Sequence, residues 1–358
     1  MSEEPAFRRR AQELWDQQSR WNARVAIYDN AEVRDPQGGE EAFWQAGEND
    51  ARRLAWFFAP GARVLDLGCG VGRVLRFLAP RAKEVIGVDI STEMLARAEQ
   101  NLAGVPNARL IHTAGATLEG VSSGSVDFVY SLLCLIHVDR RSAYRYLGEI
   151  RRVLRPGGLA FLQFQNIASE TGLAKFRAVL DQDYPLEFYT EEELRYLLSS
   201  VGLEVATSFA EAEYLYFTVV SGDAAAWRAG IAAGVRSAGF ETDPAGGLSV
   251  ALRSELAGVQ PLRLELTVVE GGRMLRADGA VLDLPPGLSR LEVRRDAPTA
   301  DPRALLDGRP LALDAAFKVE GGAGGAVELY AALLPPGFLH TDEFRAAFPA
   351  LYCAWRSA

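Results

Sequence analysis

The sequence predicts an α/β fold built on a mostly parallel sheet, followed by a second, smaller β-rich domain. Three observations predict this arrangement. Short apolar runs alternate with helical periods between residues 64 and 163 of the 358-residue chain, a pattern typical of parallel strands joined by helical crossovers. The first of these runs ends in the glycine-rich stretch VLDLGCGVGRV, residues 64–74. Beyond about residue 222 the chain becomes rich in Ala and Gly and then strand-like.

The elements of the first domain follow from the periodicity of its apolar residues. Residues 8–58 are predicted to form a mostly helical, aromatic-rich N-terminal cap. Strands are predicted at residues 64–67, 84–88, 108–112, 126–131 and 158–163, and helices near 72–80, 92–103 and 140–155. The stretch TEEELRYLLSSVG, from Thr190, opens with an N-cap and acidic residues and closes with a glycine, which predicts another helix. Two further strands, at 203–208 and 213–220, are close enough in sequence to pair as an antiparallel hairpin.

The patterns divide the chain into a first domain at 1–222, whose cap is 1–58, a linker or helix at 223–239, and a β-rich domain at 240–358. In the last domain LRLELTVVEGG alternates in polarity and Asp278-Gly279 is typical of a hairpin turn. The segment TDEFRAAFPALYCAWRS predicts a terminal amphipathic helix. An exposed strand edge in this domain would allow homo-oligomerisation.

Composition narrows the class of partner. The chain carries 38 basic and 47 acidic residues, a formal net charge of −9, which disfavours a nucleic-acid partner because Lys and Arg supply most of that affinity. No apolar run of about 18 residues is present, so no membrane partner is expected. Three cysteines make no disulfide framework and MSEEPAFRRR lacks the apolar core of a signal peptide, so a cytoplasmic protein is expected. With only three histidines, no metal site is expected.

The glycine-rich stretch predicts a ligand site. A strand delivers Asp66, and Gly68, Gly70 and Gly72 then turn the chain toward the next helix. Glycines let the backbone approach a ligand closely, and the amides at the start of a helix point at whatever is bound. This arrangement is typical of a nucleotide-like ligand at the carboxyl end of a sheet. The alternative is a tight strand–helix turn with no ligand.

An acidic residue at the end of the next strand strengthens the ligand interpretation. Asp89, in the stretch VIGVDIS, comes at the end of this predicted strand. There its carboxylate can accept hydrogen bonds from both ribose hydroxyls. The alternative is that Asp89 caps the following helix, a role that Ser91 could fill instead. The glycine spacing is G-x-G-x-G, whereas the dinucleotide fingerprint is G-x-G-x-x-G, so a dehydrogenase is disfavoured.

VLDLGCGVGR followed by VIGVDISTEML resembles the first two motifs of class I S-adenosylmethionine-dependent methyltransferases. SGSVDFVYSLLCLIHV, EIRRVLRPGGLAFLQ and FYTEEELRYLLSSVGLEV resemble later segments of that family, in the expected order, so that the resemblance covers about residues 40–220. It implies a Rossmann-like, seven-stranded, mostly parallel sheet in the order 3-2-1-4-5-7-6 with the last strand antiparallel. It also implies S-adenosylmethionine as cofactor, S-adenosylhomocysteine as product, and no metal.

The resemblance also implies the cofactor contacts. Asp66 and the glycine turn would hold the methionine moiety, Asp89 would hold the ribose, and Ser131 would lie near the reaction centre. The full set implied for the cofactor is Asp66, Gly68, Cys69, Gly70, Gly72, Asp89, Ile90, Met94, Ala116 and Ser131. Ile90 and Met94 would lie against adenine. The segment HTAGATLEG lacks the acid that the family often places there, which leaves backbone contacts from Ala116 and predicts binding weaker by one hydrogen bond, about 0.5–1.5 kcal/mol.

His137 is the candidate catalytic base, because imidazole titrates near neutral pH and the fourth strand ends close by. The alternative is a histidine that shapes the site without moving protons. Tyr28, Trp44 and Tyr189 are candidate substrate contacts, with ordinary core packing as the alternative for each. Trp15 is assigned to packing and His112 to the core.

The sequence therefore predicts an enzyme, an S-adenosylmethionine-dependent methyltransferase with a small-molecule substrate. Two alternatives stay open. The first is a methyltransferase acting on a peptide or protein docked by the C-terminal domain. The second is a non-catalytic protein that keeps the fold as an interaction scaffold.

Overall fold

The computed structural model describes residues 6–28, 31–59, 61–113, 115–182 and 185–226, and beyond them the backbone of a set of strands. The chain divides into two compact units, Met1–Trp227 and Arg228–Ala358. This division falls inside the segment 223–239 that the sequence predicts as a linker. Within the described residues, no helix combines the length and the apolar character needed to cross a membrane.

The first unit is built on one central sheet. Its strands are β1 Arg63–Leu67, β2 Glu84–Asp89, β3 Ala108–His112, β4 Val126–Ser131, β5 Leu154–Asn166, β6 Phe188–Tyr189, β7 Glu204–Glu211 and β8 Tyr214–Val220. They follow the order β3-β2-β1-β4-β5-β8-β7, with the two-residue β6 pairing with β5. When β6 is left out of the numbering, this is the predicted order 3-2-1-4-5-7-6. The prediction of an antiparallel last strand is confirmed, since β8 runs antiparallel to β5 and β7.

Helices cover the sheet and form the N-terminal cap. They are α1 Ala6–Ile27, α2 Ala31–Arg34, α3 Gly39–Leu54, α4 Leu75–Leu78, α5 Thr92–Asn101, α6 Arg140–Val153, α7 Glu170–Ala178 and α8 Glu191–Ser200. The predicted cap on α8 is confirmed, because the Thr190 side chain accepts a hydrogen bond from the Glu193 N–H. The helix predicted near 72–80 is much shorter. Its first residues stay in a turn, since Gly70 and Gly72 have φ of +51° and +80°, outside the helical region.

Alternate residues of the strands pack on opposite faces of the sheet. One face meets α6 and α8 through apolar side chains such as Leu147, Ile150, Leu194 and Leu198. The other carries stacked aromatic rings, with Phe57 and Phe128 5.6 Å apart. Each fully buried side chain of this size contributes about 1.5–3 kcal/mol. The core thereby brings the carboxyl ends of β1, β2 and β4 to one edge of the unit. The prediction that His112 is a core residue is wrong, because His112 is exposed at the end of β3, which is an edge strand.

The second unit contains only strands among its described residues. They are β9 Val235–Thr242, β10 Leu248–Ser254, β11 Leu262–Val269, β12 Arg273–Leu275, β13 Val281–Asp283, β14 Arg290–Arg295, β15 Arg303–Leu306, β16 Arg309–Ala312, β17 Asp314–Gly321, β18 Val327–Leu334 and β19 Cys353–Arg356. The predicted terminal helix is wrong at its end, because β19 pairs antiparallel with β18. Residues 335–352 lie outside the described residues, as do residues 276–280, in which Asp278-Gly279 is the predicted hairpin turn.

Candidate active site

A pocket opens where the carboxyl ends of β1, β2 and β4 meet. It holds about 900 Å³ of empty space, part of it open to solvent. From the cap it is lined by Ala11, Trp15, Ala26 and Ile27. From the sheet edge and α6 it is lined by Leu67, Gly68, Gly70, Val88, Asp89, Ile90, Met94, Thr113, Gly115, Ala116, Leu132, Leu133, Cys134, His137, Val138, Asp139, Ser142 and Tyr146.

The glycine turn forms one wall of the pocket, and only glycine fits it. Gly68 has φ of +82°, and a Cβ atom there would lie 2.3 Å from the Cys134 side chain. Gly70 has φ of +51°, and its Cβ would lie 2.7 Å from Cδ1 of Ile27. The missing side chains leave backbone exposed to the pocket, a cradle that any other residue would fill. Both glycines line the pocket, and their contact with a cofactor stays a prediction.

Asp89 lies next to the glycine turn, and its carboxylate is held in place by two backbone hydrogen bonds. One oxygen accepts from the Gly70 N–H at 2.8 Å and the other from the Ser91 N–H at 2.9 Å. Burial raises the pKa of this carboxyl, and the backbone N–H groups oppose the shift. Each carboxylate oxygen can accept more than one hydrogen bond, so the pair keeps acceptor capacity for a vicinal diol. The cap of α5 comes from Ser91, whose hydroxyl accepts from the Met94 N–H, so the capping alternative for Asp89 is wrong.

An apolar surface continues from Asp89. Ile90 and Met94 line it, and Ala116 closes it in a left-handed conformation with φ of +62°. Ala114 lies outside the described residues. An apolar surface beside a carboxylate that accepts from a diol is suited to a nucleoside, with the base against Ile90 and Met94.

Four of the predicted cofactor residues do not line this pocket: Asp66, Cys69, Gly72 and Ser131. Asp66 is 4% exposed and accepts from the Tyr130 hydroxyl at 2.7 Å. Burial raises the pKa of Asp66 to about 7, against the lowering effect of the Tyr130 hydrogen bond and of the Arg73 charge. Ser131 donates to the Leu67 carbonyl at 2.9 Å. Asp66 and Ser131 thus make hydrogen bonds within the sheet, next to the glycine turn. Their direct contact with a cofactor stays a prediction.

His137 lines the pocket with its ring fixed at two sides. Its Nδ1 lies 2.8 Å from the Pro185 carbonyl oxygen. Because a carbonyl only accepts, Nδ1 carries the proton and Nε2 is the acceptor of the neutral ring. The indole of Trp15 contacts the ring edge-on at 4.9 Å between centroids. Burial lowers the pKa of His137 to about 4, so the ring is neutral at physiological pH.

This depressed pKa has an expected effect on stability. Between about pH 6.5 and 4 the unfolded chain binds a proton at His137 that the folded protein does not, so the free energy of unfolding falls as pH falls through that window. The loss reaches up to about 3 kcal/mol. His137→Gln removes the titrating group and should flatten this part of the curve, measured by denaturant unfolding from pH 7 to 4. Equal slopes for the variant and the wild type would contradict the assignment.

The three predicted substrate residues also lie away from the pocket lining. Tyr28 packs over the Arg73 guanidinium at 4.9 Å, and Trp44 packs over that of Arg76 at 5.1 Å. Tyr189 is 1% exposed and packs in the core against Phe164. Their contact with substrate stays a prediction.

The sequence analysis missed residues that do line the pocket. Trp15, assigned there to packing, is one, and Ser142 and Tyr146 of α6 are others. A signal was present, since Ala11 and Trp15 are four positions apart on one helix, as are Ser142 and Tyr146, and such pairs share a helix face. The sequence did not indicate which face would turn toward a ligand.

Comparison with known proteins places this site in a family. Residues 64–158 match the family model of a methyltransferase domain. An uncharacterised methyltransferase of Synechocystis is 34% identical over 122 residues, which is 34% of this chain and 53% of that protein. A malonyl-[acyl-carrier protein] O-methyltransferase of Enterobacter lignolyticus is 32% identical over 150 residues, 40% of this chain and 56% of that protein. The chain thus spans about half the length of the curated relatives it matches.

Among solved structures, magnesium protoporphyrin IX methyltransferase from Synechocystis with bound S-adenosylhomocysteine is similar. It is 19% identical, with a TM-score of 0.47, and the match covers 59% of this chain and 98% of that one. The sheet order and the glycine turn define an α/β methyltransferase domain. Residues 64–158 carry a methyltransferase domain, and the matches support the resemblance of this part of the chain to the class I S-adenosylmethionine-dependent methyltransferase superfamily.

The residues of the pocket fit the cofactor of that superfamily. The cradle at Gly68 and Gly70 would be filled by any Cβ atom, and Asp89 offers a buried carboxylate beside it. Among the described lining residues the formally charged groups are Asp89 and Asp139, and no Lys or Arg lines the pocket. This balance suits the cationic sulfonium of S-adenosylmethionine. Within the described residues no group of three or more His, Cys, Asp or Glu side chains could hold a metal ion.

Proposed function

We propose that the protein is an S-adenosylmethionine-dependent methyltransferase that methylates a nucleophilic atom of a small molecule and releases S-adenosylhomocysteine. The observation that carries this proposal is the pairing of the Gly68–Gly70 cradle with the carboxylate of Asp89, which lies beside it in the same pocket and accepts from the Gly70 N–H. In the proposed complex with the cofactor, Asp89 binds the ribose hydroxyls, Ile90 and Met94 flank adenine, and the glycine backbone holds the methionine moiety.

The bound cofactor supplies an electrophilic methyl group on a positively charged sulfur. The protein then has to hold the acceptor atom in line with the bond between the methyl group and the sulfur, and to exclude water. Such positioning lowers the activation barrier by about 7–11 kcal/mol in favourable cases. The apolar side chains of Trp15, Ile27 and Leu133 line the pocket and give the reacting atoms an apolar surrounding.

His137 is proposed to orient the substrate. The neutral ring lines the pocket, and the hydrogen bond from Nδ1 to the Pro185 carbonyl fixes its orientation there. A general base works best when its pKa lies near the operating pH. A pKa of about 4 therefore favours the shaping role of His137 over the proton-transfer role.

The small-molecule substrate is supported by the lining of the pocket. Helix α1 contributes Ala11 and Trp15 to this lining, which is mostly apolar, as is typical of small-molecule sites. The Enterobacter relative is named for methylating a malonyl group on an acyl-carrier protein, so a small group presented on a carrier is one form this substrate could take. Because the three cysteines make no disulfide framework, we place the activity in the cytoplasm.

Calorimetric titration with S-adenosylhomocysteine tests the proposal first, with NADH as the matched nucleotide control. Micromolar binding of the first ligand and none of the second is expected. Labelled S-adenosylmethionine is then incubated with the protein and a metabolite extract or a protein extract. Label in metabolites supports the small-molecule substrate, whereas label in protein points to a docked peptide or protein. Failure of the folded protein to bind S-adenosylhomocysteine would overturn the proposal.

A further inference from the structure

Backbone strain is concentrated at the pocket. Among the described residues three that are not glycine have positive φ, namely Ala116, Leu133 and Ala212, and the first two line the pocket. Leu133, with φ of +55°, follows β4 by two residues. A left-handed conformation is costly for a residue with a Cβ, and such conformations persist only where the surroundings hold them.

The hydrogen bond that holds Leu133 comes from β5. The Leu133 N–H donates to Oε1 of Gln163 at 2.7 Å. Because this N–H requires an acceptor, the amide nitrogen of Gln163 must point the other way, and it donates to the Tyr216 hydroxyl at 3.0 Å. Gln163 is 3% exposed, so both bonds are shielded from water.

Tyr216 is itself fixed. Its ring stacks on Phe209 at 4.8 Å and on Phe161 at 5.7 Å between centroids. A continuous set of contacts thus runs from the β7–β8 hairpin, through Gln163, to the pocket wall. The wall segment lies directly against the glycine turn, because a Cβ on Gly68 would lie 2.3 Å from Cys134, the residue after Leu133.

We propose that Gln163 is a positioning residue that keeps Leu133 left-handed and so holds Leu133 and Cys134 as a closed wall beside Gly68. It touches neither cofactor nor substrate and acts through Leu133. Without the acceptor on Gln163, Leu133 relaxes to negative φ and the wall moves away from the glycine turn. The expected loss of cofactor affinity rests on the proposed function, whereas the expected movement of Leu133 and Cys134 does not.

The test combines Gln163→Met, which keeps side-chain length and burial but removes both hydrogen bonds, with Leu133→Gly, which accepts positive φ without strain. Binding of S-adenosylhomocysteine should weaken roughly 5- to 30-fold in Gln163→Met, the equivalent of the left-handed cost. When Gln163→Met is added to Leu133→Gly, the affinity for S-adenosylhomocysteine should fall much less, relative to Leu133→Gly alone, than it falls when Gln163→Met is added to the wild type. Gln165→Met is the matched control, since Gln165 is buried on the same face of β5 without a hydrogen-bond partner.

A second readout is independent of any cofactor. Burial raises the pKa of the Cys134 thiol well above its ordinary value, so its alkylation by iodoacetamide, followed by peptide mass mapping, should be slow in the wild type. It should accelerate several-fold in Gln163→Met, stay slow in Gln165→Met, and return toward its background rate in the double variant.

The outcomes separate the two proposals. If wild-type protein does not bind S-adenosylhomocysteine, the proposed function fails and the alkylation rates still decide the role of Gln163. If Gln163→Met lowers only the melting temperature, with wild-type affinity and wild-type alkylation of Cys134, Gln163 is merely structural and the inference is overturned. Equal losses with and without Leu133→Gly would overturn it as well.

Discussion

Asp89→Ala is expected to weaken binding of S-adenosylhomocysteine by at least about 100-fold and to abolish methyl transfer at ordinary cofactor concentrations. A hydrogen bond to a charged group contributes about 1.5–3 kcal/mol, and the proposal gives Asp89 two such bonds to the ribose. Each 1.36 kcal/mol corresponds to a tenfold change in affinity. The substitution also leaves the N–H groups of Gly70 and Ser91 without their acceptors. The free energy of unfolding should therefore fall by about 1–3 kcal/mol for each group left unsatisfied.

The loss of stability must be separated from the loss of the ligand contact. Asp127→Ala provides the control, because Oδ2 of Asp127 accepts from the Arg63 N–H at 2.7 Å, at the end of β1 away from the pocket. It removes one carboxylate–backbone bond together with the ion pair to Arg155, and should destabilise the protein with its affinity unchanged. Calorimetric titration of both variants, at a temperature where denaturation curves show them folded, makes the comparison. Similar affinities for Asp89→Ala and Asp127→Ala would remove Asp89 from the proposed site.

Local sequence signals were sufficient for much of the fold and for the centre of the site. The glycine spacing from Gly68 to Gly72 and the acid at Asp89 are features of single strand–turn–helix units, and the structure brings Gly68, Gly70 and Asp89 into one pocket. The strand order followed from the resemblance, and the pairing of β7 with β8 followed from their short separation. The Thr190 cap is equally local, because it depends on residues three positions apart.

What the sequence did not indicate depends on contacts between distant residues. Asp66 is not a lining residue of the pocket, and its carboxylate accepts a hydrogen bond from the hydroxyl of Tyr130, which lies 64 residues further along the chain. Trp15 lines the pocket because the cap helix packs across the sheet edge, where it meets the ring of His137. The 353–356 segment has helical periodicity, but hydrogen bonds to β18 make it a strand, since pairing overrides weak local propensity.

Gly68→Ala is expected to be the most damaging single methyl addition in the glycine turn. Any L-residue at φ of +82° carries a cost of about 1–2 kcal/mol. The added Cβ would also lie 2.3 Å from both Cβ and Sγ of Cys134, a separation that real Cβ contacts do not reach. Cys134 must shift, and the pocket wall that it forms with Leu133 must shift with it. The expected result is a loss of more than about 3 kcal/mol in the free energy of unfolding, as for overpacked cores, and no measurable binding of S-adenosylhomocysteine.

Gly61 offers a control in which only the steric part differs. Its φ is +81°, nearly the value at Gly68, and nothing lies within 4 Å of where its Cβ would be. Gly61→Ala therefore isolates the conformational cost and should lose only about 1–2 kcal/mol of stability, with binding of S-adenosylhomocysteine as in the wild type. Urea unfolding gives the first quantity and calorimetric titration the second. If the two alanine variants lose the same stability and retain the same affinity, the close approach of Cys134 to the glycine turn plays no part in shaping the pocket. A larger loss at Gly68, accompanied by loss of binding, shows instead that the absence of a side chain at Gly68 is what lets the wall close beside the ligand.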